Sequence, residues 1–222
     1  MIQESPRMIV LASRSPRRLE LAMREGWKVK VVVPPEEAEA EAAPRAESET
    51  LEDYVCRLAS AKAQSVVGTV MEAAVAAPGG ALVGSRSESG AMATILACDT
   101  LSEVEGEVLG KPLDRDDARR MLLLLSGREH RVVSGVCLWQ LPEMGLQGSH
   151  GGPLIDSAES TLSMGPLSDD FLDWYLDSGM WQGKAGACGF QDERLPLRLV
   201  SGSPSNVVGL PLELIREMLA KP

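Results

Sequence analysis

Few of the side chains that common enzyme mechanisms rely on are abundant in this chain. It has two histidines, four cysteines and 4% aromatic residues. Neither His130 nor His150 has a Gly-x-Ser-x-Gly nucleophile motif beside it, so no Ser–His–Asp hydrolase can be assembled. Cys56, Cys98, Cys137 and Cys188 stand far apart with no paired spacing. That pattern supports neither a zinc site nor a redox pair and reads instead as small core residues in a reducing compartment. With aromatics scarce, the core has to be built from Leu, Val, Ile, Ala and ten Met. No apolar run approaches the ~18 residues of a membrane span, and residues 1–7 carry charges without a signal-peptide core or cleavage site after them. A cytoplasmic protein with no membrane partner is expected. Positive charge is also in deficit. The formal net charge is −10, whereas coating a nucleic-acid polymer needs a broad basic surface. An anion site in such a protein has to be a local basic cluster.

What is present has an ordinary globular balance, 44% hydrophobic and 24% charged over 222 residues. That is enough to bury a substantial core, as one large domain or two small lobes. Residues 8–12 are a continuous apolar run, expected as a buried strand. Ser15-Pro16 opens a helix, with Ser at the cap and Pro at the first helical position, and Gly26 stops it. Residues 28–33 read as a second strand and 35–49 as an acidic, alanine-rich loop or flap. Thr50 caps a helix through about residue 67. The small, polar, glycine-rich stretch 75–92 reads as a flexible insertion. A buried strand follows over 94–98, then a hairpin-like segment over 104–108. Residues 114–126 predict a helix with acids in its first turn and Gly127 just past its end. Paired strands are expected at 131–139 and 158–164 around the glycine-rich loop 143–153, and helices at 168–178 and 211–220. The alternation implies an α/β architecture without giving the strand order.

Four features resist a purely structural explanation. In Ser13-Arg14-Ser15-Pro16-Arg17-Arg18, two arginines occupy the first turn of a helix, where cations oppose the dipole by roughly 0.3–1 kcal/mol each. A phosphate on the free N–H groups of that turn would reverse the sign; two solvated surface arginines are the alternative. Lys62 falls near the middle of the apolar face formed by Leu51, Tyr54, Val55, Leu58 and Val66. Either its ammonium snorkels to water or it points into an anion-binding cleft. Asp99 ends the apolar run 94–98, and a carboxylate at the mouth of a buried strand must pair, hold a metal, face a cleft or open a turn. Gly110-Lys111-Pro112 is no Walker loop, because the spacing from Gly106 is one residue short and Pro follows the lysine. Lys111 still offers a point charge to a phosphate. Lysines, arginines and carboxylates without a nucleophile suit phosphoryl chemistry run by positioning and charge neutralisation.

Seven segments, in this order, resemble the Maf family, which is related to the inosine-triphosphatase fold. They are Leu11-Ala12-Ser13-Arg14-Ser15-Pro16-Arg17-Arg18-Leu19-Glu20-Leu21, Tyr54-Val55-Cys56-Arg57-Leu58-Ala59-Ser60-Ala61-Lys62-Ala63, Ala97-Cys98-Asp99-Thr100, Gly106-Glu107-Val108-Leu109-Gly110-Lys111-Pro112, Leu125-Ser126-Gly127-Arg128-Glu129-His130, Lys184-Ala185-Gly186-Ala187-Cys188-Gly189-Phe190-Gln191 and Ser205-Asn206-Val207-Val208-Gly209-Leu210-Pro211-Leu212. The resemblance implies an α/β fold with an elongated mixed β-sheet, flanking helices and two lobes around a central cleft. Residues 1–222 would form a single Maf-like domain, commonly in a homodimer. It implies hydrolysis of a nucleoside triphosphate to the monophosphate and pyrophosphate with a divalent cation, Mg²⁺ or Mn²⁺. The Arg17-Arg18 pair resembles the subfamily acting on dTTP and UTP, or on modified pyrimidine nucleotides, more than the one acting on 7-methyl-GTP. On this resemblance Ser13, Arg17, Arg18, Lys62 and Lys111 hold phosphate, Asp99 is the key acid, and Gln191 contacts substrate. Glu39, or else Glu37, supplies the acidic-loop oxygen that joins Asp99 on the metal. Asp192 departs from the family, where glycine often follows the glutamine. A non-catalytic nucleotide-binding regulator of cell division is the alternative function.

Overall fold

The computed structural model describes residues 8–36, 38, 44–76, 91–142 and 152–221. Its strands are β1 (Met8–Ala12), β2 (Lys28–Val32), β3 (Ala91–Val104), β4 (Glu107–Leu109), β5 (Glu129–Pro142), β6 (Leu154–Met164) and β7 (Leu197–Ser201). The helices are α1 (Pro16–Arg24), α2 (Leu51–Ala76), α3 (Arg115–Leu125), α4 (Asp169–Asp177), α5 (Pro204–Val208) and α6 (Leu212–Ala220). The strands make a seven-stranded mixed sheet in the order β2-β1-β3-β5-β6-β7, with β4 paired to β3 off that path. The expected α/β class with a mixed sheet is therefore what the chain adopts. It divides into two compact units, Met1–Asp99 with Gly135–Ser157 and Leu212–Pro222, and Thr100–Ser134 with Ala158–Pro211.

In the first unit β1 is parallel to both β2 and β3, with Leu11 opposite Val31 on one side and Leu96 on the other. A strand covered on both faces has to be apolar throughout, and residues 9–12 are all buried. Helix α2 packs Ala59, Ala63, Val66 and Val70 against Val10, Ala12, Ile95 and Ala97 of these strands. Thr50 starts that helix by accepting the Asp53 N–H at 3.1 Å while its hydroxyl donates to the Asp53 carboxylate at 2.7 Å. The contact is close at Gly135 of β5, where a Cβ would lie 2.3 Å from the Val55 carbonyl.

The second unit buries Leu109 of β4, Met121, Leu122 and Leu125 of α3, Met164 of β6 and Leu172, Tyr175 and Leu176 of α4 in one core. The hairpin expected at 104–108 is present. Val104 pairs with Glu107, and the two residues between them have φ of 51° and 83°, the left-handed pair of a tight two-residue turn. Asp114 and Ser168 cap α3 and α4 as their positions suggest.

Several boundaries move. Helix α2 runs to Ala76 rather than to about residue 67, because Gly68 costs a long helix only about 1 kcal/mol and does not end it. Residues 75–76 belong to α2 and 91–92 to β3; the rest of the expected insertion lies outside the described residues, as does most of the loop expected at 143–153. Strand β7 and helix α5 were not foreseen, both being too short for a periodic pattern.

Candidate active site

In the first unit the parallel pairing of β1 with β3 stops at Ala12 opposite Ala97, where β1 ends and β3 runs on. The residues that follow this last pair are Ser13 and, one position past Cys98, Asp99. Carboxyl ends of parallel strands are the usual place for a ligand in such sheets. Ser13 is buried, and its Oγ accepts the Ser15 N–H at 3.1 Å. Ser15 then accepts the Arg18 N–H at 3.4 Å and starts α1 with Pro16 in its first turn. This turn carries no acid and presents Arg17 and Arg18, both half-buried. The Arg18 guanidinium donates to the Cys98 carbonyl at 2.8 Å, next to Asp99. The order of residues is thus what brings the arginines, the free helix end and the carboxylate to one place.

Lys62 and Asp99 are only 6% and 8% exposed, and the ammonium is bonded to Asp99 Oδ1. Snorkelling is set aside, because the charged end is held inside by a carboxylate. Two charges withdrawn from water in this way are costly unless they serve each other or a ligand. Thiols beside the pair stay protonated: burial pushes Cys98 up to about 11, although Arg18 and Lys62 pull the other way. His130 is buried in β5, and its ring nitrogens find no partner among the described residues. Burial pushes it down to about 4, so it is neutral near pH 7 and its nitrogens are shut from solvent.

The acidic stretch is partly committed to arginines. Glu36 pairs with Arg14 at 2.6 Å, and Arg14 also donates to the Pro34 carbonyl at 3.1 Å. Glu49 takes both arms of Arg57 at 2.8 Å. Glu37 and Glu39 lie outside the described residues. Among the described residues no group of three His, Cys, Asp or Glu side chains forms a ready metal site. Asp99 nonetheless fits a hard divalent cation, which takes one or two carboxylates and completes its shell with phosphate oxygens and water.

Lys111 and Gln191 belong to the second unit, and both are exposed. The Gly186 N–H donates to the Gly110 carbonyl at 3.0 Å, tying the segment before Gln191 to the segment that carries Lys111. Gly186 has a φ of 65°, a left-handed backbone conformation that residues with a Cβ rarely adopt. Sequence reasoning did not single out Lys184 and Tyr175, which join Asp192 below Gln191. The available signals were that Lys184 opens the Gln191 motif and that Asp192 stands where glycine often does.

These features define an α/β protein in which a buried pair, Lys62 from α2 and Asp99 from β3, lies beside two arginines at the start of α1. The chain belongs to the Maf family: the model for Maf-like protein matches residues 8–222. It is 38% identical over 216 residues to a dTTP/UTP pyrophosphatase of Rhodopirellula baltica, covering 97% of this chain and 82% of that one. A dTTP/UTP pyrophosphatase of Pyrococcus horikoshii is 33% identical, with 95% of both chains covered. Among solved structures, a HAM1 protein from Coxiella burnetii superposes with a TM-score of 0.42 and 15% identity over 97% of this chain and 100% of that one, a likeness too slight to bear on function.

Proposed function

We propose that this chain is a nucleoside triphosphate pyrophosphatase that hydrolyses dTTP and UTP to the monophosphate and pyrophosphate. The observation that carries this reading is the buried Lys62–Asp99 pair beside an arginine-bearing helix start. Relatives named dTTP/UTP pyrophosphatases, alike over nearly the whole chain, support the same substrates. The triphosphate would lie against Ser13, the N–H groups of α1, Arg17 and Arg18, an anion relieving the strain of cations at that end. Lys62 would turn part of its charge from Asp99 to a phosphate oxygen. Asp99 would then accept a proton from the attacking water. The new bond forms at the α-phosphorus, the bond from that phosphorus to the α–β bridging oxygen breaks, and pyrophosphate leaves with Lys111 neutralising its charge. Gln191, donor and acceptor at once, would read a base edge. A divalent cation, Mg²⁺ or Mn²⁺, held by Asp99 with Glu39 would supply charge neutralisation and ease formation of hydroxide. The reading also takes the protein to be one Maf-like domain working in the cytoplasm as a homodimer, with neither a nucleic-acid polymer nor a membrane as partner.

Hydrolysis of a panel of nucleoside triphosphates with Mg²⁺ or Mn²⁺ tests this reading. Pyrophosphate release from dTTP and UTP, with kcat lowered about a thousandfold or more in Asp99→Asn, is expected. Circular dichroism checks that the variant stays folded. Tight nucleotide binding without turnover in the native chain would make a regulator the better account, and orthophosphate release would make the enzyme a phosphatase.

A further inference from the structure

We infer that Asp192 is a positioning residue for Gln191, holding the turn that presents this side chain to the substrate. The inference rests on the proposed role of Gln191. Asp192 and Lys184 side chains are 11% and 12% exposed. The Lys184 ammonium donates to both Asp192 carboxylate oxygens at 2.6 and 2.5 Å. The Tyr175 hydroxyl adds a bond at 2.6 Å and the Gly189 N–H another at 3.1 Å. The Asp192 N–H in turn donates to the Gly189 carbonyl at 3.0 Å. One residue therefore closes the four-residue turn 189–192 through both its main chain and its side chain, and Gln191 is the third residue of that turn. The exposed Gln191 stands on a buried anchor, since Tyr175 belongs to the core of the unit.

The neighbours are fitted to this arrangement. A Cβ on Gly189 would lie 2.9 Å from the Lys184 ammonium, so glycine leaves the room the lysine occupies. Leu195 is buried, and its N–H donates to the Asp192 carbonyl at 2.8 Å. The Arg194 guanidinium lies 4.7 Å from the centre of the Trp174 ring, fixing the next residues to the same helix α4. A glycine after the glutamine would leave the turn without its side-chain closure. In this chain the backbone under Gln191 is ordered before any ligand arrives, so binding has to order little more than the Gln191 side chain.

Contacts made equally in the bound and the transition state raise KM and leave kcat unchanged when lost. Asp192→Asn is expected to raise KM for dTTP about tenfold with kcat nearly constant, and Asp192→Glu to restore part of the loss. In a Gln191→Ala background the same substitution is expected to add less than about twofold, because the two residues act as one unit. Since Asp192→Asn leaves the nearly buried Lys184 ammonium without its anion, Tyr175→Phe serves as the milder variant; it is expected to give a smaller KM rise in the same direction. Amide hydrogen exchange of the nucleotide-free protein reads the turn independently of turnover. Exchange at residues 189–195 is expected to quicken at least about tenfold in Asp192→Asn, with α3 and α4 unchanged. Unaltered exchange there, an unchanged KM, or a penalty that persists in full without Gln191 would overturn the inference. A native chain that fails to turn over any nucleotide would instead strike at the proposed function, and the exchange result would still decide whether Asp192 holds the turn.

Discussion

Lys62 and Asp99 leave water together, and each is tolerable only because of the other or of a ligand. Removing one partner strands a buried charge, which destabilises a protein by about 3–5 kcal/mol; removing both does not. Lys62→Met and Asp99→Asn are each expected to lower stability in urea denaturation. The double variant should recover most of the loss, whereas additive losses would mean that the pair is not the reason for the burial of either side chain. The sequence located both residues, one on an apolar helix face and the other just past an apolar run, but not their bond, because nothing local links positions 37 apart; Asp99 lies within β3, which continues to Val104, and not at its mouth. Asp192 was legible only as a departure from a family pattern. Its partners lie 8 and 17 positions away, and that distance hides a cluster from any local pattern.

At the scale of elements, capping and turn chemistry made much of the fold legible. Ser15, Thr50, Asp114 and Ser168 start helices where their side chains can serve the first turn. The ends were harder to read: Gly68 resembles a stop, yet α2 continues through it because its packing against β1 and β3 outweighs a small local penalty. Strand β5 carries a stability term that the sequence did not reveal. His130 is held neutral, with its pKa lowered by burial from 6.5 to about 4. The unfolded chain takes up a proton below about 6.5 that the folded chain refuses until about 4, so this contribution is complete above the higher value and is lost as pH falls between them. It amounts to about 2 kcal/mol between about pH 7 and about pH 5. Urea unfolding of the native protein and of His130→Leu at both pH values should show that much less pH dependence in the variant. Equal dependence would mean that the imidazole is not buried as described.

For the molecule as a whole, the acidic balance and the basic site are consistent. Most of the described arginines outside the site are occupied with carboxylates, as Arg119 is with Asp169 and Asp173 and Arg131 with Glu103 and Glu159. Surface pairs of this kind add little stability, whereas the Lys62–Asp99 pair lies inside the fold. The central claim is attack of water on the α-phosphorus, and the most direct test is hydrolysis of dTTP in heavy-oxygen water, with products resolved by mass spectrometry. The account predicts one heavy oxygen in the monophosphate and none in the pyrophosphate. Label in the pyrophosphate would place the attack on the β-phosphorus and contradict it.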